Sequence, residues 1–439
     1  MEEQQYKAAI AEMAKDDADT ATLAGGMYDW ITGEDGVEAI TLANVQRFAW
    51  YDVSVKWLIE DSQRWDVLAA GATLFDMLGL DRYASVLRSP QTAEILAAHE
   101  RSHDEGLRAF KRAFKASGIN PPDVDDFEWG DKSAIEEADA HDVIMRSLER
   151  AMDDGSMVPG SRGWRTTAKA ITTEVLDAPH PEIPGQSWRS VILTERVHSS
   201  LRVLEGHSPE LHTMMSSTVN RLLAPIPPPP DLELHLAPTT WFLDYVGESI
   251  KMTGAGFLPT ALVRDAANRF AWDKGWSSDP PKKESDSQEL MTLHQLLLDT
   301  GAVRHHKGAI VRTTTGTRML QDPGYAWRTI TASLTPYRWL ASVTQIYTLL
   351  LLEGESDDDI LWSRALPILI ELGYRAGDEP PNEWAVRSAW RHVSHPLEIL
   401  GGFSDAARYP SRTYKLTPFG EATLLERLRV DVTGPLRYP

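Results

Sequence analysis

The sequence predicts a mainly α, multidomain protein: a helical N-terminal half, then two C-terminal units that each combine helices with a short β-hairpin. Three observations carry this. Apolar residues recur at the helical period through most of the N-terminal half. The run Ala224-Pro225-Ile226-Pro227-Pro228-Pro229-Pro230 then reads as extended polyproline, through which no helix can pass. Beyond it, one design of helix, glycine bend, basic strand pair, Thr/Gly turn and closing helix appears twice.

In the N-terminal half, Val67 to Leu78 reads as a helix stopped by Gly79. Ser89 is an N-cap with Pro90 at the first helical position, and that helix is expected to continue to Ser117, where Gly118 and Pro121-Pro122 end it. Ala134 to Met152 and Ser187 to Leu204 are further helices. Trp50, Trp57, Trp65, Trp129, Trp164 and Trp188 lie within or beside these segments and read as packing residues. Trp276 to Ser287 reads as an exposed loop, and Gly354 to Asp359 as the end of one helix and the cap of the next. The expected domains are therefore an acidic helical region over 1–224, a proline-rich linker over 225–238, and two repeats over 239–345 and 346–439.

In the first repeat, Leu290 to Leu298 leads to Gly301, the strand pair Ala302 to His306 and Ala309 to Thr313 around Lys307-Gly308, then Gly316. In the second, Val386 to Leu400 leads to Gly401-Gly402, a strand pair ending at Thr413 to Leu416, then Thr417-Pro418-Phe419-Gly420. A glycine after each helix suits a left-handed cap, and Lys-Gly is a workable hairpin turn. This is the pattern of a winged helix, a shape that reads DNA in some proteins and grips other proteins in others.

Composition narrows the chemistry. With 439 residues and 42% hydrophobic content there is room for several cores. The absence of cysteine excludes disulfides, thiolate zinc sites and cysteine nucleophiles, and suits a reducing cytoplasm. The start, Met-Glu-Glu-Gln-Gln, shows no secretory signal, and the longest apolar run, Tyr347 to Leu352, is too short to span a bilayer, so no membrane partner is expected. The net charge of −20 is uneven: 22 Lys and Arg face 38 Asp and Glu before Pro225, against 22 and 26 from there on. A phosphate backbone would be repelled by the N-terminal half. Within the C-terminal half, Gly301 to Gln345 carries Arg304, Lys307, Arg312, Arg318, Arg328 and Arg338 against Asp322 alone.

One literal metallopeptidase match occurs, His99-Glu100-Arg101-Ser102-His103. Histidines four apart on one helix face can hold zinc while the glutamate activates water. Arg101 is foreign to such helices, and no third ligand stands out beyond Glu136, Glu137 and His141. A di-iron alternative would pair Glu100 and His103 with Glu195 and His198, adding Glu60 and Glu137. Helical phase places Glu195 on the polar side of its helix. A metal-dependent hydrolase or di-iron protein is therefore the second reading, and no cofactor is expected. No P-loop, G-x-S-x-G or dinucleotide fingerprint is present. His305 and His306 read as exposed hairpin residues pointing to opposite faces.

The basic constellation carries the first reading. On the helix Glu383 to Leu400, the apolar stripe Val386, Ala389, Trp390, Val393 and Leu397 leaves Arg387, Arg391 and His395 aligned on the outer face. In a winged helix this helix is offered to a major groove while the wing, here with Arg408, Arg412 and Lys415, follows the backbone. Arg304, Lys307 and Arg312 would do the same on the first wing. The alternative for Arg387 and Arg391 is a solvated face or pairing with acidic residues of the N-terminal half. The corresponding first-repeat helix, Gln288 to Leu298, has no Lys or Arg, so the two repeats should not bind alike.

The region from about Leu234 to Leu428 resembles a segment of uncharacterised actinobacterial proteins, of a group similar to a plasmid open-reading-frame-three protein. The resemblance lies in Tyr245-Val246-Gly247, Lys251-Met252-Thr253, Gly256-Phe257-Leu258-Pro259, Gly301-Ala302-Val303, Lys307-Gly308 and Leu416-Thr417-Pro418-Phe419-Gly420. It implies a fold and carries no activity. The expected function is that of a non-enzymatic binding or regulatory protein contacting DNA or a protein partner.

Overall fold

The computed structural model describes residues 3–33, 40–124, 127–130, 135–272, 281–335, 338–376, 378–404 and 413–435. They form a mainly α protein with two small sheets of short strands. Among them, no helix is long and apolar enough to cross a membrane. Two compact units divide between Ile192 and Leu193.

The first unit holds α1 (Glu3–Asp16), α2 (Ala18–Thr32), α3 (Leu42–Arg47), a π-helical turn (Phe48–Asp52) leading into α4 (Val53–Val55), α5 (Asp61–Met77), α6 (Asp81–Leu87), α7 (Pro90–Arg101), α8 (His103–Ser117), α9 (Ile135–Asp153) and α10 (Trp164–Asp177). Its core gathers Met27, Phe48, Trp50, Leu68, Phe75 and Leu96. α2 and α5 approach closely because Gly71 has no side chain: a Cβ there would collide with the sulfur of Met27. Glu149 of α9 is buried but satisfied, accepting the Leu42 N–H at 2.9 Å and the Tyr83 hydroxyl at 2.9 Å. Of the tryptophans read as packing residues, Trp50 and Trp188 are buried, whereas Trp65 is exposed and Trp129 and Trp164 are half-buried.

The expected single helix from Ser89 to Ser117 is broken. Ser89 does cap α7, its hydroxyl accepting the Thr92 N–H at 3.1 Å, but Ser102 leaves the helix with φ −168° and ψ 154°. It caps α8 instead, accepting the Glu105 N–H at 3.2 Å. Serine offers the backbone this alternative to a continuous helix, and periodicity on either side does not reveal it.

The division between units falls inside α11 (Trp188–Glu205), not at the proline run. α12 (Pro209–Leu223), assigned by sequence to the N-terminal half, buries Leu211, Met214, Met215 and Leu222 in the core of the second unit. Proline interrupts the helix but does not interrupt the core. Nor is 225–238 all linker, since α13 (Leu232–His235) and the start of α14 (Ala237–Val246) fall within it. His235 donates from Nδ1 to the Leu400 carbonyl at 2.7 Å and stacks on Phe419.

The repeats are visible as one element order. α14 leads to β1 (Ser249–Lys251), α15 (Thr260–Phe270), α16 (Gln288–Asp299), β2 (Val303–His306), β3 (Ala309–Arg312) and α17 (Thr314–Gln321). After α18 (Pro323–Ser333), α19 (Arg338–Leu352) leads to α20 (Asp358–Glu371), α21 (Glu383–Ile399), β4 (Phe403–Ser404), β5 (Lys415–Leu416) and α22 (Pro418–Thr433). The first sheet has the antiparallel order β1-β3-β2, with Val303 opposite Arg312 and Ser249 opposite Val311. In the second repeat, Asp357 bridges Thr413 where the first has β1. Lys307 and Gly308 both take positive φ, 47° and 75°, as a two-residue hairpin turn requires.

The glycine-to-threonine junction repeats bond for bond. Gly301 and Gly401 end their helices at φ 65° and 73°, and the next N–H returns to the helix, Ala302 to Leu297 at 3.0 Å and Gly402 to Leu397 at 2.6 Å. Thr313 donates its N–H to the Ala302 carbonyl and its hydroxyl to Gly301, and its hydroxyl also accepts from Gly316. Thr417 does the same with Gly402, Gly401 and Gly420. A Cβ on Gly316 or Gly420 would strike the carbonyl of residue 302 or 402.

The repeats are not separate domains. One core runs through Leu243, Leu293, Trp327, Ile346, Trp390 and Leu424. The expected division at 345/346 cuts through α19, whose apolar face is continuous across it. A buried bond from Trp327 Nε1 to Thr423 Oγ1, 2.9 Å, ties α18 to α22.

Candidate functional site: the groove between the third helices

α16 and α21, the third helix of each repeat, pack against one another. α16 starts on Ser287, whose hydroxyl accepts the Leu290 N–H at 3.2 Å, and it buries Leu290, Leu293, Leu296 and Leu297. Its other face presents Gln288, Thr292, Gln295 and Asp299, with Gln295 Nε2 donating to Asp299 at 2.7 Å. α21 starts on Asn382, whose side chain accepts the Ala385 N–H at 3.0 Å. Val386, Ala389, Trp390, Val393 and Leu397 form its buried stripe.

Between the two helices lies a concavity of about 1110 Å³, with Leu334, Trp339 and Leu340 also lining it. α21 contributes Ser388, Arg391, His392 and His395. Arg391 and His392 are exposed and His395 is half-buried. The groove thus sets an imidazole and guanidinium wall against an amide and hydroxyl wall.

Arg387 does not join Arg391 and His395. Its guanidinium turns to α20, pairing with Asp358 at 3.1 Å and with Asp359, and it meets Glu383 one turn back at 2.7 Å. It does pair with acidic residues, but they lie in its own repeat and not in the N-terminal half as the alternative had it. Trp362 lies 5.7 Å from its guanidinium.

On the first hairpin, Arg304 and Lys307 are exposed, Lys307 at the tip. Arg312 is half-buried and donates from Nη1 to the Leu243 carbonyl at 3.2 Å, fastening β3 to α14. On the second, Lys415 is exposed on β5, while Arg408 and Arg412 lie outside the described residues.

Sequence reasoning missed a buried polar chain behind the first hairpin. His305 is exposed, as its sequence position predicts, yet its Nε2 lies 3.3 Å from Nε2 of the buried His294 on α16. His294 Nδ1 donates to Glu284 at 2.6 Å, and the other Glu284 oxygen accepts the Leu258 N–H at 3.0 Å. Burial pushes the Glu284 carboxyl up, but the bonds from His294 and Leu258 outweigh it and hold the group below its ordinary value. The signal was His294 itself, a polar residue within the apolar stripe Leu290, Leu293, Leu297, which requires a partner once buried.

The metallopeptidase reading loses its helical geometry. His99 and His103 lie on different helices because of the break at Ser102. The His99 ring packs on Gly106, and its Nε2 donates to the Trp50 carbonyl at 3.2 Å, so that nitrogen carries its proton and cannot ligate. Burial also pushes the His99 imidazole down. Glu137 accepts the Gly130 N–H at 3.1 Å, a structural task. Among the described residues no three His, Asp or Glu side chains are gathered to hold a metal. Compared with models of known families, with curated proteins and with solved structures, the chain matches none.

Proposed function

We propose that this is a non-enzymatic binding protein whose C-terminal repeats are winged-helix units, and that they grip a segment of a protein partner in the groove between their third helices. The element order, the strand order β1-β3-β2 and the repeated glycine-to-threonine junction support the winged-helix reading. One observation carries the choice of partner: α16 and α21 pack together, so the faces that would enter two major grooves line one concavity. α16 brings no cation to it, and Arg387 is held by carboxylates. A protein segment bearing Asp or Glu complements Arg391, His392 and His395.

A displayed random-peptide library panned against the chain is expected to yield peptides rich in Asp and Glu. Arg391→Glu should weaken them about tenfold through like-charge repulsion at the groove wall. Peptides indifferent to Arg391→Glu would place the binding surface elsewhere.

A further inference from the structure

The first unit carries 35 Asp and Glu against 19 Lys and Arg through Ile192, yet four of its cations surround one cavity. Lys111 and Lys115 stand one turn apart on α8, and Arg165 and Lys169 one turn apart on α10. All four are exposed, and none makes an ion pair among the described residues. The cavity, about 780 Å³, lies in the size range of small-molecule sites and has walls of Phe110, Phe114, Trp129 and Trp164.

The aromatic walls are fixed in place. Gly118 ends α8 in the left-handed conformation, φ 78°, and its missing Cβ leaves room for Pro159 and Trp164, which would approach such an atom to 3.0 and 3.1 Å. Trp129 donates from Nε1 to the Pro122 carbonyl at 3.2 Å, and its N–H is accepted by Asp123 at 3.0 Å. Asp123, one of two carboxylates lining the cavity with Asp142, is thereby engaged. His141 meets the Trp129 ring edge-on at 5.1 Å, and the Arg165 guanidinium lies 5.0 Å from the Trp164 ring. Indole faces and phenyl rings suit a flat heteroaromatic ring, and a ring of cations suits phosphate.

We propose that this cavity binds a nucleotide, its base against Trp129 and Trp164 and its phosphates among Lys111, Lys115, Arg165 and Lys169. The same chemistry is presented by a free nucleotide and by the end of a single strand. The acidic surroundings favour the free nucleotide, whose few charges meet the cations without a long phosphate backbone crossing the carboxylates.

Isothermal titration of the full chain with ADP, adenosine, inorganic pyrophosphate and a six-residue oligoadenylate tests this. ADP should bind, with adenosine and pyrophosphate each about tenfold or more weaker because each keeps half of the interactions. The double variant Lys115→Ala/Lys169→Ala should lose about tenfold in ADP affinity with an unchanged unfolding midpoint, since both side chains are exposed. Oligoadenylate binding tighter than ADP, and equally sensitive to the double variant, would support the same chemistry with a strand end as its source. No heat with ADP and oligoadenylate, or affinities untouched by the double variant, would overturn the proposal.

Discussion

Trp390→Ala is expected to cost about 3 to 5 kcal/mol of stability, the range for removing a buried aromatic side chain. Trp390 is fully buried, stacks on Tyr347 with ring centroids 4.7 Å apart and meets Tyr414 edge-on at 5.7 Å. Because one core serves both repeats, the destabilisation should spread. Hydrogen exchange should show α16 of the first repeat losing protection together with α21. Trp390→Phe should cost much less, since it keeps most of the packing and removes a buried indole N–H that has no hydrogen-bond partner among the described residues. Urea denaturation of the three proteins checks this, and an α16 unaffected by Trp390→Ala would show two independent cores.

His294→Leu is expected to cost about 3 kcal/mol, because it strips a buried carboxylate of its side-chain partner. Among the described residues, Glu284 would then keep only the Leu258 N–H. The double variant Glu284→Leu/His294→Leu should recover much of that stability, since an apolar pair leaves no charge unmet. The pH dependence has a definite sign. The folded Glu284 carboxyl lies below its ordinary value, so its contribution is complete above the unfolded value and disappears as pH falls through the folded one. The stability gap between the wild type and Glu284→Gln should therefore narrow in acid. A gap that widened as pH fell would contradict the assignment. Denaturant midpoints measured across the acid range are sufficient.

Features enforced by neighbouring residues were legible in the sequence, and those decided by distant packing were not. The stripe from Val386 to Leu397 is buried as its spacing requires, and Gly79, Gly118, Gly301 and Gly401 all take the positive φ expected of helix-ending glycines. The two hairpins follow from Lys307-Gly308 and from the glycine and threonine pairs. β1 was missed because three residues are too few to mark an alternation as a strand, and it exists by pairing with β3 across a long loop. The single core was missed because α12 and α19 reveal an apolar face but not the surface that covers it. Arg387 shows the same limit at the site: helical phase set it beside Arg391, whereas Asp358 and Asp359 of α20 decide where its guanidinium goes.

The most direct test is fluorescence anisotropy of labelled duplex DNA with the full chain over a salt series. With α16 and α21 lining one groove, the expected result is no duplex binding that depends on Arg391, even at low salt where attraction to phosphate is strongest. Two outcomes together would contradict the account. One is duplex binding that loses sequence preference, at a cost of about 1 to 3 kcal/mol, on Arg391→Ala. The other is a salt slope that flattens by about 0.9 for each phosphate no longer neutralised on Arg304→Ala or Lys307→Ala.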